Sequence, residues 1–182
     1  MKTQKLTIMA ICITLLCISS YIAFPLPFTP TPVTAQTVMI NVIALLLKPK
    51  EVMVTVGLYL LIGLIGFPVF AGGVSGLAPF VSPNGGFILA FLIVAPIMSL
   101  VKEISASNFK AYLLITIWIG MPMIYVIGAL WMSLVTQMDL KTAVSVAVLP
   151  FIVGDVLKCF MACILVLRLQ TFKVTQRVMS YE

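Results

Sequence analysis

The chain has 182 residues, of which 62% are hydrophobic and only 9% are charged. A soluble domain carries about a quarter charged residues because its surface must face water, so this composition excludes a water-soluble globular protein. The net charge of +6 comes from basic residues between apolar segments, which indicates membrane topology and no nucleic-acid partner. We predict one all-α transmembrane domain in the lipid bilayer, comprising residues 1–182.

Six apolar segments are long enough to approach the roughly 20 residues that a bilayer core of about 30 Å requires. The first, at the N-terminus, could instead be read as a signal peptide, but Tyr21-Ile22-Ala23 places a bulky residue where cleavage requires a small one. We therefore count it as a span. The predicted limits are 6–24, 34–47, 51–67, 84–101, 110–134 and 142–169.

The distribution of basic residues supports six spans, because cytoplasmic loops carry an excess of Lys and Arg. With a cytoplasmic N-terminus, only Lys141 lies outside, and Lys158 lies within the membrane. Both termini are then predicted to be cytoplasmic. Nine of the 11 basic residues fall on the cytoplasmic side: Lys2, Lys5, Lys48, Lys50, Lys102, Lys110, Arg168, Lys173 and Arg177.

The two longest predicted spans each carry a break at a proline, which removes a helical hydrogen bond and kinks or starts a helix. Pro122 interrupts the fifth span and Pro150 the sixth. If the sixth span proper begins at Pro150, residues 139–149 form an interfacial lead-in. Asp155 and Lys158 then lie in the outer half of the membrane.

Two outer segments have unusual compositions. In "FPLPFTPTPVTAQT", residues 24–37, the four threonines, among them Thr34, and Gln36 offer hydrogen bonds to a solute. The alternative is a rigid turn in which Thr34 caps the second helix. The segment "GFPVFAGGVSGLAPFVSPNGGF", residues 66–87, is glycine-rich, apolar and uncharged. We interpret it as a lid over a ligand, and the alternatives are a re-entrant plug or a cap in which Asn84 opens the fourth helix.

The sixth span contains "FIVGDVLKCF", in which Asp155 and Lys158 are three residues apart and can pair on one helix. A charge at the membrane centre is costly, and intramembrane ionisable residues are by default functional-site candidates. Either the pair faces a wet cavity and binds a small polar solute, or it is an ion pair that stabilises the bundle.

Metal and catalytic chemistry have little support in the sequence. There is no histidine, no C-x-x-C pair and no G-x-x-x-x-G-K-[ST] phosphate loop. We expect Cys159 and Cys163 to pack between helices, and Tyr125, Trp118 and Trp131 to serve as packing residues or interface anchors. No enzymatic activity, metal or cofactor is predicted.

Together, "TPTPVTAQT", "GGVSGLAPFVSPNGGF" and "GDVLK" resemble the BioY family over essentially the whole chain. Members of this family are the biotin-specific substrate-binding (S) components of energy-coupling factor (ECF) transporters. The resemblance implies a six-helix bundle in a prokaryotic plasma membrane that captures biotin near the outer face. It also implies partners, namely a transmembrane coupling protein and two ATP-binding cassette ATPases.

The resemblance assigns the polar head of biotin to the charged pair, with Asp155 accepting from ureido N–H groups and Lys158 donating to the ureido oxygen. The opposite pose, with Lys158 on the carboxylate, remains open. Asn84 replaces the threonine or serine that the family often has before "GG", so its role is less defined. The bicyclic ring would contact Phe80 or another apolar residue of the glycine-rich segment. The predicted substrate-binding residues of the outer segments are Thr34, Gln36, Gly73, Ser75, Phe80, Asn84, Gly85 and Gly86.

The family also tends to carry an Ala-x-x-x-Ala pattern on the first helix, which docks on the coupling protein through close packing. Here the match is Ala10 with Thr14, so either docking or plain helix packing is open. Two other functions compete with biotin capture: an S component for a different vitamin, and a structural membrane protein without a ligand.

Overall fold

The computed structural model describes residues 2–171 except Leu26, Phe28 and Pro30, so Lys173 and Arg177 of the predicted topology lie outside the described residues. Within this range the chain is helical apart from a small antiparallel strand pair. The elements are α1 (Lys2–Tyr21), β1 (Ala23–Phe24), β2 (Val33–Thr34), α2 (Gln36–Leu46), α3 (Pro49–Ile65), α4 (Ala78–Val81), α5 (Gly85–Glu103), α6 (Phe109–Ile115), α7 (Met121–Thr136), α8 (Leu140–Ala147) and α9 (Ile152–Thr171).

The all-helical prediction is confirmed, but four helices in the described part of the chain are long and apolar enough to cross a membrane. The predicted second and third spans correspond to the shorter helices α2 and α3, of 11 and 17 residues. A helix of 11 residues rises only roughly 16 Å, about half a bilayer core. The four long helices are Thr3–Tyr21, Gly85–Glu103, Phe109–Thr136 and Leu140–Thr171.

Helix α2 lies in the middle of the bundle, where α9, α5 and α1 pack around it. Eight of its 11 residues are buried, including Ile40, Ile43 and Leu45, which are fully buried. Neighbouring helices therefore cover α2 on most sides, so its short length does not expose its ends to lipid.

Both predicted proline breaks coincide with irregular helix. A π-helical segment, Thr116–Gly120, precedes Pro122. The wider hydrogen-bond register of such a segment accommodates a residue that has no backbone N–H to donate. Pro150 lies in a 3₁₀ turn, Leu149–Phe151, between α8 and α9. Helix α9 therefore begins at Ile152, and Asp155 lies in its first turn.

The bundle has two distinct ends. At what we call the terminal end, α1 begins and α9 ends, and Lys5 of α1 contacts Glu51 of α3 at 3.2 Å. At the opposite loop end, α1 ends and α9 begins, and the Tyr21 hydroxyl donates to the Pro68 carbonyl at 2.5 Å. That bond ties the segment before α4 to α1.

Candidate functional site

A cavity at the loop end lies between α2, α5, α7, α8 and α9 and encloses about 630 Å³ of atom-free space, including its mouth. The polar or charged lining residues are Thr31, Thr34, Gln36, Thr37, Asn84, Tyr125, Asp155 and Lys158. The apolar lining residues are Pro32, Ala71, Phe87, Ile88, Phe91, Ile124, Ala147 and Phe151.

The charged pair of the sixth predicted span lines this cavity. Lys158 Nζ donates to Asp155 Oδ1 at 2.8 Å, and the Tyr125 hydroxyl of α7 donates to Asp155 Oδ2 at 2.6 Å. Only 12% of the Asp155 side chain and 14% of the Lys158 side chain are exposed. Each carboxylate oxygen retains a second acceptor site, and the ammonium retains two N–H donors.

A second polar group lies where the segment before β2 meets the start of α5. The Thr31 hydroxyl donates to Asn84 Oδ1 at 2.7 Å. Asn84 occupies the N-cap position of α5, as predicted, but its side chain makes no capping hydrogen bond. The Thr37 hydroxyl, also at the cavity, is buried without a hydrogen-bond partner among the described residues.

Thr34 and Gln36 both line the cavity, but each also has a structural role. Thr34 pairs with Ala23 in the strand ladder. Helix α2 begins after Ala35 without a side-chain cap, so the alternative in which Thr34 caps this helix is wrong. Gln36 Nε2 donates to the Tyr59 hydroxyl at 2.5 Å, so Gln36 fixes the start of α2 against α3.

Phe80 does not line the cavity, because it belongs to an aromatic cluster beside it. Its ring packs edge-on against Phe70 at 5.2 Å, and Phe70 packs in the same way against Tyr59 at 5.6 Å. The glycine-rich segment 66–87 contributes Ala71 and Phe87 to the apolar wall instead.

Gly85 and Gly86 serve the packing of helices and do not line the cavity. A Cβ at Gly85 would overlap the Phe80 carbonyl, and one at Gly86 would overlap Trp131 of α7. The indole N–H of Trp131 donates to the Ser82 carbonyl at 3.1 Å, which holds the segment before α5 against α7.

Gly73 and Ser75 also lie away from the cavity lining: Gly73 lies in the turn closed by the Phe70–Val74 bridge, and Ser75 follows that bridge. Gly73 has φ +76°, a left-handed conformation that favours glycine. It lies beside the Tyr21 ring, so it shapes the turn that α1 holds in place.

Tyr125 is the main residue that the sequence interpretation assigned to a different role. It was expected to pack or to anchor the membrane interface, yet its hydroxyl contacts Asp155, 30 positions along the chain. Trp118, by contrast, is 73% exposed on the bundle surface, as an interface anchor would be. Thr31 and Thr37 belong to the proline-rich segment whose threonines were considered as solute contacts, and both line the cavity. Phe91 was not singled out, since nothing in its spacing separates it from other residues of the apolar segment.

The predicted packing cysteines are buried, as expected. Asn41 Nδ2 of α2 lies 3.7 Å from the Cys159 sulfur, and the Thr116 hydroxyl lies 4.0 Å from the Cys163 sulfur. No group of three or more His, Cys, Asp or Glu residues suited to a metal occurs in the described part of the chain.

Ala10 and Thr14, the candidate docking residues, lie on an exposed face of α1. The Thr14 hydroxyl donates to the Ala10 carbonyl at 2.9 Å, so its hydrogen-bonding capacity is used within the helix. The face presented at these two positions is therefore small and largely apolar.

Comparison with known proteins identifies the family. The sequence profile of the BioY family matches residues 1–174. The biotin transporter BioY2 of Lactococcus lactis subsp. cremoris (strain MG1363) is 34% identical over 164 residues, which cover 90% of this chain and 88% of that protein. A probable biotin transporter BioY of Pyrococcus horikoshii is 33% identical over 170 residues, which cover 93% of this chain and 98% of that protein.

A solved structure agrees with these relatives. The crystal structure of the S-component for biotin from an ECF-type ABC transporter superimposes with a TM-score of 0.89 at 29% identity, covering 97% of this chain and 95% of that one. The transporter relatives and the long apolar helices together identify a membrane protein. The predicted family is confirmed: the chain belongs to the BioY family.

Proposed function

We propose that this chain is the biotin-binding S component of an ECF-type vitamin uptake transporter, a substrate-binding subunit and not an enzyme. The observation that carries the proposal is the cavity at the loop end, where a neutral Asp155–Lys158 pair lies opposite apolar walls. Biotin has matching parts: a polar ureido ring, an apolar bicyclic body and chain, and a carboxylate. The relatives of this chain that are named as biotin transporters also support biotin as the ligand.

In our proposal the ureido group binds at Asp155 and Lys158. The spare acceptor sites of the carboxylate suit the two ureido N–H groups, and the spare ammonium donors suit the ureido oxygen. Because Asp155 already neutralises Lys158 at 2.8 Å, the pair offers little attraction to a second carboxylate. This argues against the opposite pose.

The rest of biotin then extends from the charged pair toward the loops. Phe87, Phe91 and Phe151 supply apolar surface for the ring system and chain. The biotin carboxylate lies nearest to Thr31, Thr37 and Asn84, whose hydroxyl and amide groups supply hydrogen-bond donors. Gln36 and Thr34 complete the wall, whereas Phe80, Gly73, Ser75, Gly85 and Gly86 support the segment around it.

We further propose that the single domain crosses a prokaryotic plasma membrane six times, with both termini in the cytoplasm. The positive-inside distribution supports this orientation, which assigns the loop end to the outer face. Helices α2 and α3 complete the count as short spans, because α2 is enclosed by its neighbours.

The proposed partners are a transmembrane coupling protein and two ATP-binding cassette ATPases, with Ala10 and Thr14 as the docking face. The exposure of both residues supports this role, because small residues permit close helix packing. Ala10→Trp is expected to leave biotin binding intact and to abolish ATP-dependent uptake. Normal uptake by that variant would contradict the docking face.

Isothermal titration calorimetry on the purified chain, with biotin and a panel of other vitamins, tests the ligand. Biotin alone should bind and should raise the thermal unfolding temperature by mass action on the folded state. Binding of a different vitamin would indicate an S component of other specificity. A lack of response across the whole panel would favour a structural membrane protein.

A further inference from the structure

A second cavity, which we call the basic groove, lies at the terminal end and is lined by residues of α1, α2, α3, α5, α6 and α9. It encloses about 2190 Å³ of atom-free space, including open solvent. Its charged lining residues are Lys5, Lys48, Lys50, Glu51, Lys102 and Glu103. Four lysines against two glutamates leave this lining with a net formal charge of +2.

Two lysines of the basic groove, Lys50 and Lys102, form no salt bridge among the residues that the structure describes. Glu51 contacts Lys5 at 3.2 Å. Lys102 is partly buried and donates to the uncharged carbonyl of Leu47 at 2.9 Å, without a salt bridge to any described carboxylate. Lys50 forms no hydrogen bond or salt bridge with the residues that the structure describes. A nearby anion stabilises the partly desolvated ammonium of Lys102, and the exposed side chain of Lys50 is free to approach the same anion.

The uncharged lining of the basic groove combines polar groups from Ser105, Ser107, Tyr112 and Gln170 with aliphatic surface. Ile8 of α1 and Leu46 of α2 line it, together with Leu100 of α5, which is 54% exposed. The groove thus combines ammonium groups at the helix ends with aliphatic surface along the helices. A soluble anion would make use of only the first of these.

We propose that the basic groove binds one anionic phospholipid. Its phosphate lies between Lys50 and Lys102, and an acyl chain lies along Leu100. Basic pockets between transmembrane helices on the cytoplasmic side bind anionic headgroups in this way. The site is separate from the biotin cavity, which lies at the other end of the bundle and shares no lining residue with it.

The test compares Lys102→Met and Lys50→Met with Lys141→Met, a matched removal of one exposed lysine at the loop end. Each full-length variant is titrated with dihexanoyl phosphatidylglycerol, dihexanoyl phosphatidylcholine or inorganic phosphate, and binding is followed by native mass spectrometry. Lys102→Met should fold, because the Ser99 hydroxyl still donates to the Leu47 carbonyl at 2.6 Å. Biotin affinity is measured on the same samples.

We expect the unaltered chain to bind phosphatidylglycerol in preference to phosphatidylcholine and inorganic phosphate. Each groove variant should bind phosphatidylglycerol about fivefold more weakly, since one basic residue near anionic lipid contributes about that factor. Lys141→Met should bind it normally, and all three variants should keep their affinity for biotin.

If inorganic phosphate binds as tightly as phosphatidylglycerol, the groove is a site for a soluble anion and the lipid proposal is wrong. An equal loss of phosphatidylglycerol binding in Lys141→Met would mean that net charge alone causes the effect. Unchanged phosphatidylglycerol binding in Lys50→Met would overturn the proposed site, even if Lys102→Met failed to fold. Failure of the chain to bind biotin would contradict the proposed function and leave the lipid result standing.

Discussion

The cavities at the two ends of the bundle differ in whether their charged side chains are paired with each other. At the loop end, Asp155 and Lys158 neutralise each other at 2.8 Å, and Tyr125 holds the second carboxylate oxygen. At the terminal end, Lys50 and Lys102 have no described carboxylate in salt-bridge contact. The first site therefore suits recognition by hydrogen-bond geometry, and the second suits attraction of an anion.

The two cavities also differ in enclosure. The loop-end cavity is the smaller, at about 630 Å³ against about 2190 Å³, and its charged side chains are nearly buried. In a nearly buried site, an unpaired polar atom costs about 1–3 kcal/mol. Substitutions at the loop end should therefore have larger and more specific effects on ligand binding than those at the terminal end.

The largest expected effect comes from the charged pair. Lys158→Met leaves Asp155 buried without its cation, which should destabilise the fold by about 3–5 kcal/mol and weaken biotin binding at least about 100-fold. The double variant Asp155→Asn/Lys158→Met should recover stability but not binding. Calorimetry measures biotin binding, thermal unfolding measures stability, and Lys141→Met is the control for both. Normal biotin affinity in the single variant Asp155→Asn would refute the assignment of the charged pair to the biotin site.

The next effect concerns the contact between α5 and α7 that frames the loop-end cavity. Gly86→Ala would place a methyl group on Trp131, and such overpacking destabilises by about 1–3 kcal/mol. Gly154→Ala is the matched control, because no atom lies within 4 Å of its added Cβ. Thermal unfolding should show a lower midpoint for Gly86→Ala alone. Equal midpoints would mean that the α5–α7 contact yields easily.

Tyr125→Phe should have an intermediate effect, about a tenfold loss of biotin affinity, because a hydrogen bond to a charged group contributes about 1.5–3 kcal/mol. The change removes the donor to Asp155 Oδ2 and leaves the ring in place. Tyr112→Phe is the control, since that hydroxyl accepts from Gln170 at the terminal end. If both variants bind biotin equally well, Tyr125 does not position the Asp155 carboxylate for biotin binding.

The smallest effect is expected at Thr37, whose buried hydroxyl has no partner among the described residues. Thr37→Val should raise the free energy of unfolding without biotin by about 1 kcal/mol and weaken biotin binding about fivefold, if biotin satisfies this hydroxyl. Thr55, also buried and without a described partner, does not line the cavity. Thr55→Val should therefore raise stability alone, and identical binding by the two variants would remove Thr37 from the site.

Local patterns predicted several parts of the site well. The three-residue spacing of Asp155 and Lys158 predicted a pair on one helix, and they form an ion pair. Asn84 was expected at a helix start and occupies the N-cap of α5. These features depend on residues close in sequence, where helix geometry fixes which side chains meet.

The orientation of the aromatic residues could not be predicted in this way. Phe80 or another apolar residue of the glycine-rich segment was expected at the ligand. Phe80 packs on Phe70, whereas Phe87 of that segment lines the cavity together with Phe91 and Phe151. These helices are apolar on all sides, so hydrophobic periodicity does not separate a face toward the core from a face toward lipid. Glycine was similarly ambiguous, and Gly86 proved to accommodate Trp131.

The sequence by itself determined the membrane class, the positions where proline breaks the helices, the family and the pairing of Asp155 with Lys158. The family follows from motifs that are legible in the sequence itself, and the other three depend on composition or on neighbours within one helical turn. Only the tertiary structure decided that Tyr125 meets Asp155, that Thr31 meets Asn84 and that a second cavity opens at the terminal end. These contacts join distant segments, and the rotation of each helix within the bundle sets them.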